Sequence, residues 1–389
     1  MTLPRWFSVA ALYALQNSMM LTPRWPSAGP LLCGPARSAD PRRLLAYRHL
    51  QAHRVGARSA FFRPRALTTA VAVVAVAFAF TSLLVRARPL TNLISLVIAV
   101  GSPYVPLVAL SGLALAALCR RVVLFIVAVA VLTATLSVQV SWYYFARPSD
   151  VGAHTDIRVL SSNLRKGQAD PTAFVGLAKV SADVITVSEL TPEAVQRFSQ
   201  AGLDKIFPHS LLIPGPGAQG IGLWSRFPLS HLEPPKQRDI GVVSTRIVVP
   251  GVRFDPVLAS MHVISPVASD TNAFGYWQSG VATAKAGLID FAEDAGPAAV
   301  IVGGDFNSTP DMRQFRDLLT DGYHDAVRQT GAGFAPTFPA NEWFPPIITI
   351  DHVLTRNAAA TSIRTVTIPG SDHLALLATI QVPLDPTAS

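Results

Sequence analysis

Three long apolar runs in the first 145 residues constrain this chain more than any other feature. Leu67 to Val85 carries no charge over 19 residues, and at about 1.5 Å per residue such a helix reaches roughly the 30 Å thickness of a hydrocarbon core. A second uncharged run extends from Leu93 to Leu118, with Pro103 and Pro106 inside it, and a third from Val122 to Val140. Neighbouring helices can accommodate prolines within a span. No Asp or Glu occurs between residues 67 and 145. Three membrane spans are therefore expected, at about 67–85, 93–118 and 122–140, in preference to a buried helical hairpin of a soluble protein.

The formal charge of +8 suggests a polyanion-binding protein until it is divided along the chain. Residues 1–66 hold ten arginines and one acid, residues 67–145 four arginines and no acid, and residues 146–389 18 bases and 23 acids. The basic balance thus belongs to the tail and the apolar region, and the acidic remainder argues against a built-in nucleic-acid groove. The tail, rich in Arg, Pro, Ala and Ser without sustained periodicity, is expected to be poorly ordered. Its short apolar stretch from Ser8 to Leu15 has no cleavage signature after it, so a signal peptide is not expected. Cys33 and Cys119 both precede residue 146, which leaves the C-terminal region no thiolate for a disulfide or a zinc site.

Arginine distribution sets the expected orientation. The tail and the turn bearing Arg120 and Arg121 would share the cytoplasmic side, and an odd number of spans then places the C-terminal domain outside; Arg86 and Arg88 point the other way. Trp142, Tyr143, Tyr144 and Phe145 suit an aromatic belt at the exit of the third span. Residues 146–155 read as a linker to a domain over 156–389, long enough for a full core of its own.

Beyond residue 155 the pattern changes to short β-rich runs between turn signals. Strands are expected at Ile157–Ser161, Val184–Val187, Gly222–Trp224, Val242–Val249, Pro256–Met261, Ala299–Val302, Thr349–Leu354 and Leu374–Gln381. Helices are expected at Pro171–Val180, Pro192–Ala201, Trp277–Glu293 and Asp311–Leu319. Many strands with interspersed helices imply an α/β fold, a four-layer sandwich in which two packed sheets are flanked by helices.

Polar residues gather just past the strand ends. Gly303-Gly304-Asp305-Phe306-Asn307-Ser308 follows an apolar strand, and Asp305 and Asn307, two apart, emerge on one side. Asp351-His352 interrupts a β-branched strand; adjacent residues face opposite sides, so Asp351 is expected in the site and His352 in packing or on the substrate side. Ser371-Asp372-His373 precedes another apolar run. Upstream, Asn163, Glu189 and His262 each close a strand. Oxygen donors dominate this set, which suits Mg²⁺ or Mn²⁺, and admits Ca²⁺, rather than zinc.

The order Asn163, Glu189, His262, Gly304-Asp305-Phe306-Asn307, Ile350-Asp351-His352 and Ser371-Asp372-His373 resembles the endonuclease/exonuclease/phosphatase family of metal-dependent phosphoesterases, which shares the DNase I fold. The resemblance covers roughly residues 155–383 and includes Ser225-Arg226-Phe227-Pro228-Leu229, usually structural in that family. It implies Glu189 as principal metal ligand with Asn163 beside it and Asp372 contributing, and Asp305 and Asn307 against the attacking water and scissile phosphate. It implies His373 as general base or phosphate-polarising group held by Asp351, and His262 at the phosphate or leaving oxygen. Whether Asp305 or His373 takes the proton stays open.

The implied activity is that of a membrane-anchored hydrolase acting on a phosphoester: a lipid headgroup, a nucleotide or a nucleic acid. A nuclease served by Arg165, Lys166 and Arg226, and a tethered binding module without catalysis, are the alternatives. The aromatic, proline-rich segment Thr337 to Pro346 reads as a surface loop, or as a wall of the substrate site or a membrane contact.

Overall fold

The computed structural model describes residues 64–232, 240–340 and 344–388. The basic tail up to residue 63, with Cys33, and the stretch Asn341 to Trp343 of the aromatic loop lie outside the described residues.

The apolar runs are helical. Helix α1 covers Pro64–Ala87, α2 Leu93–Val100, a 3-10 turn Ser102–Tyr104, α3 Val105–Leu118 and α4 Val122–Tyr143. Two of these, α1 and α4, are long and apolar enough to cross a membrane, and the pair Leu93–Val100 and Ser102–Leu118 makes a third span only if its 48° bend is counted within one crossing. Pro103 enters the turn and Pro106 the first turn of α3, where a missing N–H costs no helical bond.

The rest of the described residues form two six-stranded mixed sheets with flanking helices. The first has the order β11-β12-β1-β2-β4-β3 and the second β5-β6-β7-β8-β10-β9. The strands are β1 His154–Asn163, β2 Val184–Ser188, β3 His209–Ile213, β4 Ile221–Ser225, β5 Leu229–Ser230, β6 Gly241–Ile247, β7 Val257–His262, β8 Val300–Asp305, β9 His324–Asp325, β10 Asp351–Arg356, β11 Ala359–Thr367 and β12 Leu374–Pro383. Strand parity builds the layers, because successive side chains point to opposite faces. On β1, β2 and β4, Val159, Val184 and Leu223 enter the core shared with the second sheet, whereas Leu160, Ile185 and Trp224 face Phe174 and Phe198 of the helices Pro171–Ser181 and Pro192–Gln200. The helices Ala273–Ala295 and Arg313–Leu318 cover the second sheet through Trp277, Leu288 and Phe315. The expected four-layer α/β sandwich is the observed one.

The eight expected strands and four expected helices are present, mostly one to four residues longer or shorter. β3, β5, β9, β11 and the helices Leu203–Ile206 and Ala326–Thr330 were not anticipated. Gly303 and Gly304 are dictated by close packing: a Cβ on Gly303 would lie 2.3 Å from Thr186 Oγ1 of the facing sheet, and one on Gly304 1.8 Å from the Met261 carbonyl oxygen.

Candidate active site

Register creates the first half of the site. β7 and β8 run parallel with His262 beside Asp305, and β8 and β10 run antiparallel with Asp305 opposite Asp351. These three residues form a row across adjacent strands and share one face. The second half comes from the other sheet. Asn163 ends β1 beside Ser188 of β2, so Asn163 and Glu189 emerge together, and Ser371, which donates its hydroxyl to the Asn163 carbonyl at 2.8 Å, brings Asp372 and His373 in front of β12.

The halves meet through two contacts. His373 Nδ1 lies 2.8 Å from Asp351 Oδ2. Asn163 Nδ2 donates to Asp305 Oδ2 at 3.0 Å and to Glu189 Oε1 at 3.3 Å. Asp305 Oδ2 also sits 3.9 Å from both His262 Nε2 and His373 Nε2, so one buried carboxylate faces two imidazoles. Glu189 Oε2 accepts the Lys166 N–H at 2.7 Å, and Asn163 Oδ1 accepts the Arg165 N–H at 2.8 Å.

Four residues at the site have left-handed backbone: Arg165 at φ 48°, Lys166 at φ 52°, Glu189 and Asn307. Glu189 has φ 58° and Asn307 φ 45°. Such conformations cost free energy for residues with a Cβ, and here both re-aim a side chain at a strand end. Asn307 is held in place by its N–H to Asp305 Oδ1 at 2.8 Å, by its side-chain amide to the Val263 carbonyl at 2.9 Å, and by the Trp277 indole N–H, which donates to the Asn307 carbonyl at 3.1 Å.

Electrostatics follow from burial and crowding of like charge. Burial and the Asp351 carboxylate push Asp305 up to about 6, against the pull of His373, His262 and the Asn307 N–H. Burial disfavours a charged His373, but the carboxylates of Asp351 and Asp305 outweigh it and hold the imidazole protonated up to about 10. Burial, reinforced by Glu189, raises Asp372 above its ordinary range, although His373 and Arg165 oppose this.

Asp305, Asp351 and His373 offer ligand atoms within 4.8 Å of one another. His373 Nδ1 and Asp351 Oδ2 are already engaged with each other, so the trio is better suited to moving a proton than to gripping an ion. Glu189 and Asp372 are half-buried and present carboxylate oxygens, and the buried Asn163 beside them offers an amide oxygen that already accepts the Arg165 N–H; a set dominated by oxygen fits a hard divalent cation.

Arg165 stands at the rim, 3.7 Å from the Asp372 carboxylate. Arg226 requires correction as a substrate-binding candidate. Ser225 pairs with Val184 at the start of β2, the end of the sheet remote from Glu189. There Arg226 donates to the Ala182 and Lys179 carbonyls and stacks over Phe207. His352 takes the packing role: it is buried, with Nδ1 2.7 Å from Asp325 Oδ2 and Nε2 2.9 Å from the Ser308 carbonyl. Asp325 went unnoticed in the sequence because it lies in a two-residue strand with no motif around it.

None of the curated proteins matches the sequence. Among solved structures the chain is similar to an endonuclease/exonuclease/phosphatase family protein from Bacteroides thetaiotaomicron, at 13% identity over 59% of this chain and 99% of that one with a TM-score of 0.46. It is similar to D. rerio TDP2 complexed with single strand DNA product at 18% identity, over 58% and 99% of the two chains with a TM-score of 0.46. For the 3'-5' exonuclease NExo from Neisseria meningitidis the figures are 19%, 57%, 98% and 0.45. Residues 138–373, more than half of the chain, match the model of the Endonuclease/Exonuclease/phosphatase family, and the chain therefore belongs to that family of divalent-metal-dependent phosphoester hydrolases.

Proposed function

We propose that this protein is a membrane-anchored phosphoester hydrolase, dependent on Mg²⁺ or Mn²⁺, whose active site lies outside the cytoplasm. The observation that carries the catalytic part is the placement of Asp305 between two imidazoles and beneath Asn163, with His373 locked to Asp351.

Glu189, with Asn163 and Asp372, would hold the cation, which supplies Lewis-acid polarisation of the phosphate and a more acidic water. The chain's own residues do the rest. Asp305, ionised above about 6, accepts a proton from the attacking water. His373, kept protonated by Asp351, donates to a non-bridging oxygen and neutralises charge as it develops. His262 faces Asp305 from the far side, placed for the phosphate or the leaving oxygen. Asn307, fixed at its backbone and side chain, borders the phosphate position.

The membrane part rests on the apolar helices and on the distribution of arginine. Val74, Ile94, Leu118 and Val123 expose two-thirds or more of their surface to the surroundings, which a bilayer would cover. Arg86, one of the two arginines that spoil the charge asymmetry, is ion-paired with Asp311 at 2.7 Å.

The test is turnover of bis-p-nitrophenyl phosphate by the full chain in detergent, with Mg²⁺, with Mn²⁺ and with EDTA. Metal-dependent turnover abolished in Asp305→Ala and His373→Ala supports the reading; no turnover with either metal would sink it.

A further inference from the structure

Two segments that border the site, a loop with the helix after it and a second loop, also bind the ends of the apolar helices. The first leaves β7 at His262. Val263 accepts the Asn307 side-chain amide and donates to the Asp305 carbonyl. The loop ends at the helix Ala273–Ala295, whose Gln278 side chain donates to the Leu90 carbonyl of the α1–α2 connection at 2.9 Å. The second runs from Phe334 to Ile350. Phe334 packs edge-on against Tyr143 at 5.2 Å and Tyr104 at 6.1 Å, Phe338 lies 4.8 Å from the His373 ring, and the Ile347 carbonyl accepts the Tyr104 hydroxyl at 2.7 Å. The peptide that follows Asp305 is tied down as well: Asp311 accepts from Arg86 at 2.7 Å and from Gln139 of α4 at 2.9 Å.

The site is therefore fixed beside the helix ends and does not hang on a free linker. Even the segment after α4 is pinned, since the Arg147 N–H donates to the Gln329 carbonyl. Helix α2 adds a further indication. Its Leu96 and Ala99 join the core of the catalytic domain together with Trp142 and Tyr143. Its opposite face leaves Ile94 74% and Val97 59% exposed. With the turn before it, α3 extends over Ser102–Leu118, about 25 Å of helix, enough for one crossing without α2. An α2 lying along the bilayer surface beneath the catalytic domain satisfies both faces. Between the site and Leu90, the first loop exposes Ile264 at 42% and Val267 at 47%, followed by Tyr276 at 50%.

Resting on the hydrolase reading above, we infer that the substrate is carried by the membrane: the phosphodiester of a bilayer lipid headgroup, which enters from the membrane surface past Ile264 and Val267. The reaction consumes one water. Its oxygen bonds to phosphorus, the P–O bond to the leaving alkoxide breaks, and that alkoxide takes up a proton, giving an alcohol and a phosphomonoester. Nearby apolar side chains seat the rim in the interface, and the acidic domain does not favour a long polyanion.

The test uses the full chain in phosphatidylcholine nanodiscs doped with phosphatidylglycerol, phosphatidylethanolamine, cardiolipin or sphingomyelin. The comparison substrates are a short-chain phosphatidylcholine below its micellar concentration, bis-p-nitrophenyl phosphate and plasmid DNA. Headgroup cleavage in the bilayer is expected to exceed that of the dispersed short-chain lipid by at least about tenfold, because anchoring raises the effective concentration. The paired substitutions Ile264→Ser and Val267→Ser are expected to lower bilayer cleavage about tenfold through lost apolar burial, with turnover of bis-p-nitrophenyl phosphate unchanged. Turnover of bis-p-nitrophenyl phosphate or DNA without cleavage of any bilayer lipid would overturn the inference and leave the hydrolase reading standing. No turnover of any substrate would overturn both.

Discussion

His373 gives one ring nitrogen to Asp351, Nδ1 to Oδ2 at 2.8 Å, although the two residues come from different sheets. The bond fixes the direction of the other nitrogen, 3.9 Å from Asp305. A carboxylate that orients and charges an imidazole is needed for catalysis more than for folding. Asp351→Asn keeps the shape but removes the charge, and should lower kcat by about 10²–10⁴-fold. Steady-state kinetics on bis-p-nitrophenyl phosphate, with circular dichroism to verify the fold, checks this.

Cation and proton should compete at the site, directly at Asp372 and through the buried charge of Asp305 behind it. Asp305 is pushed up to about 6 by burial and Asp351, and Asp372 is raised by burial and Glu189. Below these values the carboxyls are protonated and repel one another less, so an ion has less charge to neutralise. Mg²⁺ or Mn²⁺ at a hundred times its Kd should stabilise the fold by about 2.7 kcal/mol. The rise in Tm is expected to be larger at pH 8 than at pH 5 and to be reversed by EDTA. Thermal melts in the two buffers would show an equal rise if these groups did not take part.

Asp183 provides a contrasting titration, remote from the site. Burial opposes its charge, but hydrogen bonds and charge from Arg158, with Arg226 behind, hold the carboxyl below its ordinary value. A depressed carboxyl contributes stability that is complete above the unfolded value and disappears as pH falls through the folded one. Asp183→Asn should therefore lower Tm at pH 7, by about 2–4 °C for each kcal/mol lost, while the difference from the native chain closes in strong acid. Arg226→Ala should behave similarly and leave KM unchanged, as its bonds to the Ala182 and Lys179 carbonyls imply.

What could be read from the sequence was whatever local spacing encodes. Strands interspersed with helices pointed to the layers, and polar residues at strand ends pointed to Asn163, Glu189, His262, Asp305, Asp351 and His373. Long-range pairing has no local signature. Asp325 reaches His352 across 27 residues, and β11 alternates too irregularly, with a register shift between Ala360 and Ser362, to stand out. Asp311 looked like the start of a helix, yet the helix begins at Arg313 because the Asp311 carboxylate turns to Arg86. Arg226 belonged to a motif whose chemistry is structural.

His352 deserves separation from His373, since both are buried and both are paired with an aspartate. His352 bridges Asp325 to the Ser308 carbonyl and so props the peptide that follows Asp305. His352→Ala leaves a cavity and takes the partner from Asp325 Oδ2, while Oδ1 keeps the Val327 and Arg328 N–H groups, and should cost about 3 kcal/mol of stability. Chemical denaturation should report that loss. The pH profile of the remaining activity should keep its shape, because no group facing the phosphate is removed.

The Arg86–Asp311 pair lends itself to a double-mutant cycle. Asp311 is 1% exposed, and Oδ1 accepts from both Arg86 and Gln139. Removing one partner of a buried pair costs about 3–5 kcal/mol because the other charge is left uncompensated, whereas removing both can be nearly neutral. Asp311→Asn should therefore destabilise the protein and lower kcat as the segment after Asp305 loosens. Metal affinity should change little, because Glu189, Asn163 and Asp372 stand on the other sheet. Adding Arg86→Gln to Asp311→Asn should restore most of the lost stability, a coupling readable from melts of the four proteins. If the double variant is instead as unstable as the sum of the single ones, the pair is not what holds the catalytic domain to its helices.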